Sequence, residues 1–284
     1  MNSNQIDKAK AFYDIHVRDG CFLMPNAWDI GSAKILVSAG FKAIGTTSAG
    51  MAFSQGRPDN AFCAAEARLN RKEMFAQIEP IVESVSVPVN ADLEDGFGRE
   101  PEAVAQTIAL AIKTGAVGGN IEDYTGDPNN PLYDIDLSVE RIKAAREIID
   151  KSGVPFVLVA RTDAMNIGKK NNDDEAISRV NLYREAGADC LFSPGASDRN
   201  TITRFAQEVD GPLNVVMGLT GTQLSVDELA DLGVRRVSIG GSLARSLYFQ
   251  MQRSAKEMFE NGTFTYAENQ ISQGDLNRLF ERDL

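Results

Sequence analysis

Short apolar stretches alternate with amphipathic helical patterns along the whole chain. Each stretch is rich in β-branched or other apolar residues. It is followed by a turn and then by a helical pattern, with apolar positions three and four residues apart. This order is typical of repeated β/α units. Eight such stretches begin at Cys21, Lys42, Val87, Val117, Pro155, Cys190, Pro212 and Val234. The hydrophobic pattern therefore predicts eight strands, each followed by a helix.

No linker or low-complexity stretch divides these units, and eight of them favour a closed (β/α)8 TIM barrel over an open doubly wound α/β sheet. A doubly wound sheet would need a glycine-rich turn after its first strand, and residues 24–28 (MPNAW) provide none. We therefore predict a single barrel domain over residues 1–284, preceded by an N-terminal helix. The helical pattern at residues 242–262 is longer than the eighth unit needs, and its apolar residues predict an extended C-terminal helix that is exchanged between subunits.

Composition and charge narrow the classes of partner. The chain has 284 residues, with 29 basic and 40 acidic side chains, which gives a formal net charge of −11. This negative charge, without a Lys/Arg-rich run, disfavours nucleic acids and anionic membranes as partners. No apolar run approaches the ~20 residues that span a bilayer. The polar N-terminus predicts a short helix rather than a signal sequence, so we expect a cytoplasmic protein.

Cysteine and histidine are scarce. Cys21, Cys63 and Cys190 are widely spaced and set among apolar residues, which indicates reduced thiols rather than a disulfide framework. The single histidine, His16, lies in the predicted N-terminal helix, where a surface or packing role is expected. A histidine-rich metal site and a Ser-His-Asp triad are therefore both disfavoured.

Carboxylates stand where two neighbouring predicted strands end. Asp92 and Glu94 follow the third strand and Glu122 follows the fourth. Because TIM-barrel active sites lie at the carboxyl ends of the strands, and because neighbouring carboxylates repel each other unless a cation lies between them, we expect a metal site here. Oxygen donors without Cys or His suit Mg²⁺ or Mn²⁺ rather than Zn²⁺. The strand period of two also places Asp92 and Glu94 on the same side of their strand.

Other interpretations of these polar residues stay open. Each carboxylate could be a solvated loop residue or the ion-pair partner of a basic side chain. Arg161, at the end of the fifth strand, could be such a partner, but its planar fork also suits a substrate carboxylate or phosphonate. Asp95 and Asp123 alternate away from the predicted mouth and are expected to anchor loops.

Taken in order, these motifs resemble the phosphoenolpyruvate mutase/isocitrate lyase superfamily, from residue 25 to the helix that follows the last strand. The family's pattern after the second strand is present as residues 48–50 (SAG) and 56–59 (GRPD). Its metal motif corresponds to residues 92–98 (DLEDGFG), with Glu94 in place of the second Asp, and its Ala-Arg-Thr-Asp-Ala motif is intact at residues 160–164.

The resemblance implies a Mg²⁺- or Mn²⁺-dependent lyase that breaks a C–C bond in a small anionic 2-oxo-carboxylate through a metal-stabilised enolate, with decarboxylation as one form. The metal ligands implied are Asp92, Glu94 and Glu122, and Glu94, being longer than the family's Asp, is expected to reach the metal through water. The substrate-binding residues implied are Ser48, Ala49, Gly50 and Arg161, with Asn214 and Trp28 as further candidates. Asp59 would orient a metal-bound water or carry a proton.

The loop after the fourth strand departs from the family. Residues 124–134 contain no Cys, His or Lys, so the isocitrate and methylisocitrate lyase reactions, which use a Cys there, are not expected. Tyr124 is the candidate acid, with Tyr133 as its alternative, and Asn129 or Asn130 could replace the asparagine of phosphonate mutases. Two alternatives therefore remain, a P–C bond mutase or hydrolase and a weakly catalytic barrel that binds metal and oxo acids. The family also implies a homotetramer, a dimer of dimers.

Overall fold

The computed structural model describes residues 3–59, 67–166, 172–220 and 224–281. Within these ranges, nine parallel strands form one sheet that closes almost completely into a barrel, which confirms the predicted TIM-barrel fold. The strands are β1 (Phe22–Met24), β2 (Asn26–Ala27), β3 (Ile44–Thr46), β4 (Val89–Asp92), β5 (Gly118–Glu122), β6 (Val157–Arg161), β7 (Cys190–Phe192), β8 (Leu213–Val216) and β9 (Arg236–Ser238). Cys63 lies outside the described residues.

The first predicted strand is divided in two at Pro25. β1 pairs with β9 and β2 pairs with β3, so the two ends of the sheet meet at this residue. Proline has no N–H to donate to a neighbouring strand, whereas its carbonyl still accepts a hydrogen bond from the Gly45 N–H at 2.9 Å. The division explains why eight predicted strands appear as nine.

Helices surround this barrel. Those before and beside the first five strands are α1 (Ser3–Val17), α2 (Ile30–Ser38), α3 (Ser48–Ser54), α4 (Arg71–Glu83) and α5 (Pro101–Lys113). Those that follow are α6 (Ile135–Ser152), α7 (Asp173–Glu185), α8 (Arg199–Glu208), α9 (Val226–Asp231), α10 (Ser242–Asn261) and α11 (Gln273–Glu281). In the part of the chain that the structure describes, none of them is long and apolar enough to cross a membrane.

Local sequence signals explain where these helices begin and end. Asn70 and Glu73 form a reciprocal capping box at the start of α4. Pro101 opens α5, a position where its missing N–H costs nothing. Gly153 ends α6 with φ 68°, a left-handed conformation that glycine adopts without steric cost. The predicted N-terminal helix is α1, which buries Phe12 and His16 against the amino end of the barrel.

The C-terminal segment leaves the barrel and then returns to it. Ala244 is the one buried residue of α10, a helix that the structure describes in full, and Phe259 is 92% exposed. After a 3-10 helix at Thr265–Asn269, α11 packs against α2 of the same chain, where the Lys34 ammonium donates to the Phe280 carbonyl at 3.3 Å. The last segment thus folds back on its own barrel, and exchange of α10 between subunits stays a prediction.

Candidate active site

A cavity of about 1190 Å³ opens at the carboxyl ends of the strands. Of the residues predicted from sequence, those that line it are Ser48, Ala49, Asp59, Asp92, Glu94, Glu122, Tyr124, Arg161 and Asn214. A second, shallower pocket of about 990 Å³ lies outside the barrel beside α4, and none of these predicted residues lines it. The cavity at the strand ends is therefore the candidate site.

Asp92, the last residue of β4, is held by both neighbouring strand ends. Its Oδ2 accepts the Ser48 backbone N–H at 2.9 Å, and its Oδ1 accepts the Asn120 side-chain amide at 2.8 Å. The Asp92 N–H in turn donates to the Thr46 hydroxyl at 2.9 Å. These bonds fix the carboxylate at the cavity wall, and they engage each of its oxygens once.

Glu94 lines the cavity although it lies beyond the end of β4, where the strand period of two no longer applies. β4 ends at Asp92, and Glu94 has φ 49°, in the left-handed region that non-glycine residues rarely adopt. The carboxylate is buried, and its Oε2 has no hydrogen-bond partner among the described residues, with the Arg68 Nη1 3.7 Å away. Burial, and then the charge of Asp92, raise the pKa of Glu94 to about 8.

Glu122 and Arg161 form an ion pair at the ends of β5 and β6. The Arg161 Nη1 lies 2.7 Å from the Glu122 Oε2, and its Nε and Nη2 each donate to one oxygen of Asp163 at 2.8 Å. Burial raises the pKa of Glu122 well above its usual range, although Arg161 opposes the shift. Burial lowers the pKa of Arg161, but Asp163 and Glu122 outweigh it and leave that pKa above its ordinary value. The fork predicted for a substrate anion is thus largely occupied by protein carboxylates.

Residues 48–50, the segment implied to bind the substrate and called here the cradle, have only part of their backbone available for a ligand. The Ser48 N–H donates to Asp92, and the Gly50 N–H is 3.4 Å from the Thr47 hydroxyl that caps α3. Gly50 is buried against Trp28, whose Cβ would lie 2.7 Å from a Cβ added to the glycine. Ala49 lines the cavity, and its N–H belongs to the first turn of α3, where helices leave their N–H groups without an intrahelical acceptor. Ala49 and the Ser48 side chain are therefore the parts of this cradle that face the cavity.

Besides Gly50, two predicted site residues lie away from the cavity wall. Trp28 packs behind Gly50 and is not among the described residues that line the cavity. Asn129 is exposed, and its N–H donates to the Asp127 carboxylate at 2.9 Å, because the loop around Asp127 folds on its own hydrogen bonds. The structure therefore does not bring Asn129 to the other site residues.

Two further carboxylates lie behind the site. The Tyr133 hydroxyl donates to Asp95 at 2.9 Å, and the Tyr183 hydroxyl donates to Asp123 at 2.7 Å. Burial, followed by the charge of Asp95, raises the pKa of Tyr133 to about 12, which makes this phenol a poor proton donor. Tyr124, which lines the cavity, is the better placed of the two tyrosine candidates.

The donor set fits a divalent cation in its chemistry. Glu94 presents a buried oxygen without a hydrogen-bond partner, and repulsion from the neighbouring carboxylates contributes to the raised pKa of both Glu94 and Glu122. A cation among Asp92, Glu94 and Glu122 would remove that repulsion. In the described ranges, no three Asp, Glu, His or Cys side chains are arranged to hold an ion among them. The protein would thus supply one or two carboxylates, and water or ligand the rest, as is usual for Mg²⁺.

Sequence reasoning missed a set of polar residues on the cavity wall. These are Asn26, Asn90, Asn120, Arg236, Ser238 and, at the mouth, Arg245. Most of them lie within predicted strands, where interior positions of a TIM barrel are commonly branched and apolar. A usable signal was present, because Asn90 precedes Asp92 by two residues and Arg236 precedes Ser238 by two, which places each pair on one face of its strand.

Comparisons with known proteins agree with the resemblance in the sequence. A family model for phosphoenolpyruvate phosphomutase matches residues 12–259. The 2-methylisocitrate lyase of Escherichia coli (strain K12) is 30% identical over 72% of this chain and 68% of its own. The 2,3-dimethylmalate lyase of Eubacterium barkeri is 31% identical over 74% of this chain and 71% of its own. A solved structure assigned as a lyase/mutase of Burkholderia cenocepacia J2315 is 46% identical, with a TM-score of 0.93 over 98% of this chain and 97% of its own.

Proposed function

The chain belongs to the phosphoenolpyruvate mutase/isocitrate lyase superfamily, whose members are lyases and mutases, and we propose that it cleaves a C–C bond in a small 2-oxo-carboxylate with the help of Mg²⁺ or Mn²⁺. The observation that carries this proposal is a set of three carboxylates on the cavity wall. We call this set, Asp92, Glu94 and Glu122, the acidic rim. A bound cation would supply a Lewis acid that stabilises the enolate formed when a bond to C3 breaks.

The protein's own groups then bind the substrate and handle its proton. Ser48 and Ala49 line the cavity, and we propose that the Ser48 hydroxyl and the Ala49 N–H bind a substrate carboxylate. Arg161 keeps N–H groups beyond the three that bind Glu122 and Asp163, so it would add positive charge while holding Glu122 in place. Asp59 and Tyr124, which also line the cavity, are the residues we propose for proton transfer to C3 of the enolate that bond cleavage leaves.

An activity screen tests the proposal. Purified protein with Mg²⁺ would be assayed for release of pyruvate or another oxo acid from oxaloacetate, 2-methylisocitrate and 4-hydroxy-2-oxo acids, and for conversion of phosphonopyruvate. We expect turnover of a 2-oxo-carboxylate that EDTA abolishes and added Mg²⁺ restores. Conversion of phosphonopyruvate alone would favour the P–C bond alternative, although the position of Asn129 away from the cavity lends that alternative little support. Metal binding without turnover would favour the binding-module alternative.

We also propose that the protein assembles as a homotetramer through α10. Leu247, Phe249, Met251 and Phe259 leave large apolar areas of this helix exposed. Large apolar side chains exposed together on one helix often mark a subunit interface, so we expect them to be buried against another subunit. Light scattering at micromolar concentration checks this, since a mass near 30.8 kDa would identify a monomer.

A further inference from the structure

Among the described residues, two arginines are almost completely buried, and their surroundings differ. Arg141 is 1% exposed, its Nη1 donates to the carbonyls of Gly98 and Arg99 at 2.5 Å each, and its Nη2 donates to the Asp95 carbonyl. Its guanidinium also stacks on the Tyr133 ring at 4.2 Å. Arg141 is thus satisfied by the protein, as a buried structural arginine should be.

Arg236, at the start of β9, is 2% exposed and has far fewer partners. Its Nε donates to the Asn214 Oδ1 at 2.8 Å. Its Nη1 lies 3.4 Å from the His16 Nε2 and 3.5 Å from the Asn90 Oδ1, which are long contacts for a group with five N–H donors. No carboxylate within the described residues lies within 4.0 Å of this guanidinium, so none of them pairs its charge.

His16 does not provide the missing negative charge. Its Nδ1 is 2.7 Å from the Phe12 carbonyl, an arrangement that fits a neutral ring with the proton on Nδ1 and an acceptor at Nε2. Burial, and then the charge of Arg236, lower the pKa of His16 to about 3, so the ring is neutral at physiological pH. The ring is therefore a neutral neighbour of Arg236.

Arg236 also lines the cavity, at the end opposite the acidic rim. Arg236, Asn90 and Asn214 lie at or near the first residue of their strands, whereas Asp92 and Glu122 are the last residues of theirs. Burial lowers the pKa of Arg236, and no carboxylate of the acidic rim acts on it. The cavity thus has carboxylates at its rim and an unpaired cation at its floor. An unpaired buried charge is costly, and an anion bound beside it would offset that cost.

We propose that Arg236, held in position by Asn214, binds a carboxylate of the ligand at the floor of the cavity. A guanidinium matches a carboxylate because two parallel N–H groups meet its two oxygens. The inference that this carboxylate belongs to the substrate rests on the proposed function. The substrate would then be a dicarboxylate, with its 2-oxo end toward the acidic rim and a second carboxylate on Arg236.

Binding of malonate, measured by calorimetry in the presence of EDTA, tests this floor site without metal or turnover. We compare the wild type with Arg236→Met, Arg236→Lys and the control Arg235→Met. Arg235→Met changes the net charge by the same amount as Arg236→Met. Arg235 does not line the cavity, and its Nη1 donates to the carbonyls of Arg18 and Gly20. We expect Arg236→Met to weaken malonate binding at least about tenfold, Arg236→Lys to weaken it less, and Arg235→Met to change it less than about twofold.

Malonate binding that is unchanged in Arg236→Met, or weakened equally by Arg235→Met, would overturn the proposal. If Arg236→Met does not fold, crystals of the wild type soaked in bromide give a second measurement. An anomalous peak beside the Arg236 guanidinium is expected, and bromide elsewhere in the cavity with none at Arg236 would overturn the floor site. Failure of the proposed lyase activity would leave both measurements unaffected, so the two proposals can fail separately.

Discussion

Five carboxylates surround the ends of β4 and β5, and they fall into two groups with different surroundings. Those of the acidic rim, Asp92, Glu94 and Glu122, face the cavity, whereas Asp95 and Asp123 lie directly behind them. Asp123 accepts hydrogen bonds from the Thr162 hydroxyl, the Tyr183 hydroxyl and the Asp163 N–H at 2.7–2.9 Å. Glu94 has an oxygen with no such partner within the described chain.

Members of the two groups are neighbours in the sequence, so spacing along the chain does not distinguish a carboxylate of the rim from one behind it. Asp95 directly follows Glu94, and Asp123 directly follows Glu122. The donors around each carboxylate make the difference, because a carboxylate saturated by hydroxyls and N–H groups stabilises the fold, whereas an incompletely satisfied one stores repulsion that a ligand can relieve. Substitutions in the two groups should therefore separate stability from activity.

The largest effect is expected for Asp92→Ala. Loss of this rim carboxylate should lower kcat/KM about a thousandfold or more, because the Lewis acid it helps to hold supplies several kcal/mol of transition-state stabilisation. The fold should persist, since Asp92 ends β4 at the cavity surface. Steady-state kinetics with Mg²⁺, together with circular dichroism, measure both quantities. Wild-type turnover in the variant, or after exhaustive chelation, would contradict the assignment of the rim.

For Asp123→Ala we expect the reverse, a loss of stability of about 3 kcal/mol or more. The substitution leaves the donors of Thr162, Tyr183 and Asp163 without their acceptor, and Arg179 loses the Asp123 oxygen 3.3 Å away while keeping its ion pair with Glu175. Chemical denaturation measures the free energy of unfolding. Asp123→Asn keeps one acceptor oxygen and should lose less. A loss below about 1 kcal/mol in the alanine variant would remove the distinction between the two groups.

Arg161 binds Glu122 of the acidic rim together with Asp163, and its replacement by Lys should lower kcat/KM about 10- to 100-fold. A single ammonium cannot bind Glu122 and both oxygens of Asp163 at once, as the guanidinium does. The matched control is Arg204→Lys on the outer surface, where an arginine also bridges two acidic residues, Asp174 and Glu208, away from the cavity. Equal kinetics in the two variants would show that the Arg161 fork is not needed for the reaction.

The comparison also shows which parts of this molecule a sequence can predict. The strands followed from hydrophobic periodicity, and the division at Pro25 follows from its missing N–H. The backbone of Glu94 could not be predicted, since its left-handed φ depends on the turn that β4 enters after Asp92. The position of Asn129 depends on a loop that folds on its own hydrogen bonds, and the surroundings of Arg236 depend on Asn214, which lies on the neighbouring strand.

Within the acidic rim, Glu94→Gln should weaken Mn²⁺ binding about tenfold more than Glu122→Gln does. The sequence led us to expect that Glu94 acts through water and contributes less, but the geometry favours the opposite order. Glu94 has a buried oxygen with no hydrogen-bond partner among the described residues and only a long ion pair with Arg68, at 3.7 Å, whereas Glu122 is paired with Arg161 at 2.7 Å. Calorimetric titration of both variants decides the order, with Glu102→Gln on the exposed face of α5 as the control. Weaker binding by Glu122→Gln would support the water-mediated role of Glu94.

The last prediction concerns the pH dependence of stability in the metal-free protein. Burial raises the pKa of Glu94 from its ordinary 4.5 to about 8, so between these values the folded protein holds a proton that the unfolded chain has lost. The free energy of unfolding should therefore fall as pH rises from about 5 to 8, by up to about 1.4 kcal/mol for each pH unit from this one group. Glu94→Gln stays neutral and should lack this contribution, whereas Glu83→Gln at the exposed end of α4 should keep it. Urea denaturation across this pH range in EDTA measures the slopes, and equal slopes in the wild type and Glu94→Gln would show that Glu94 is already ionised without a cation.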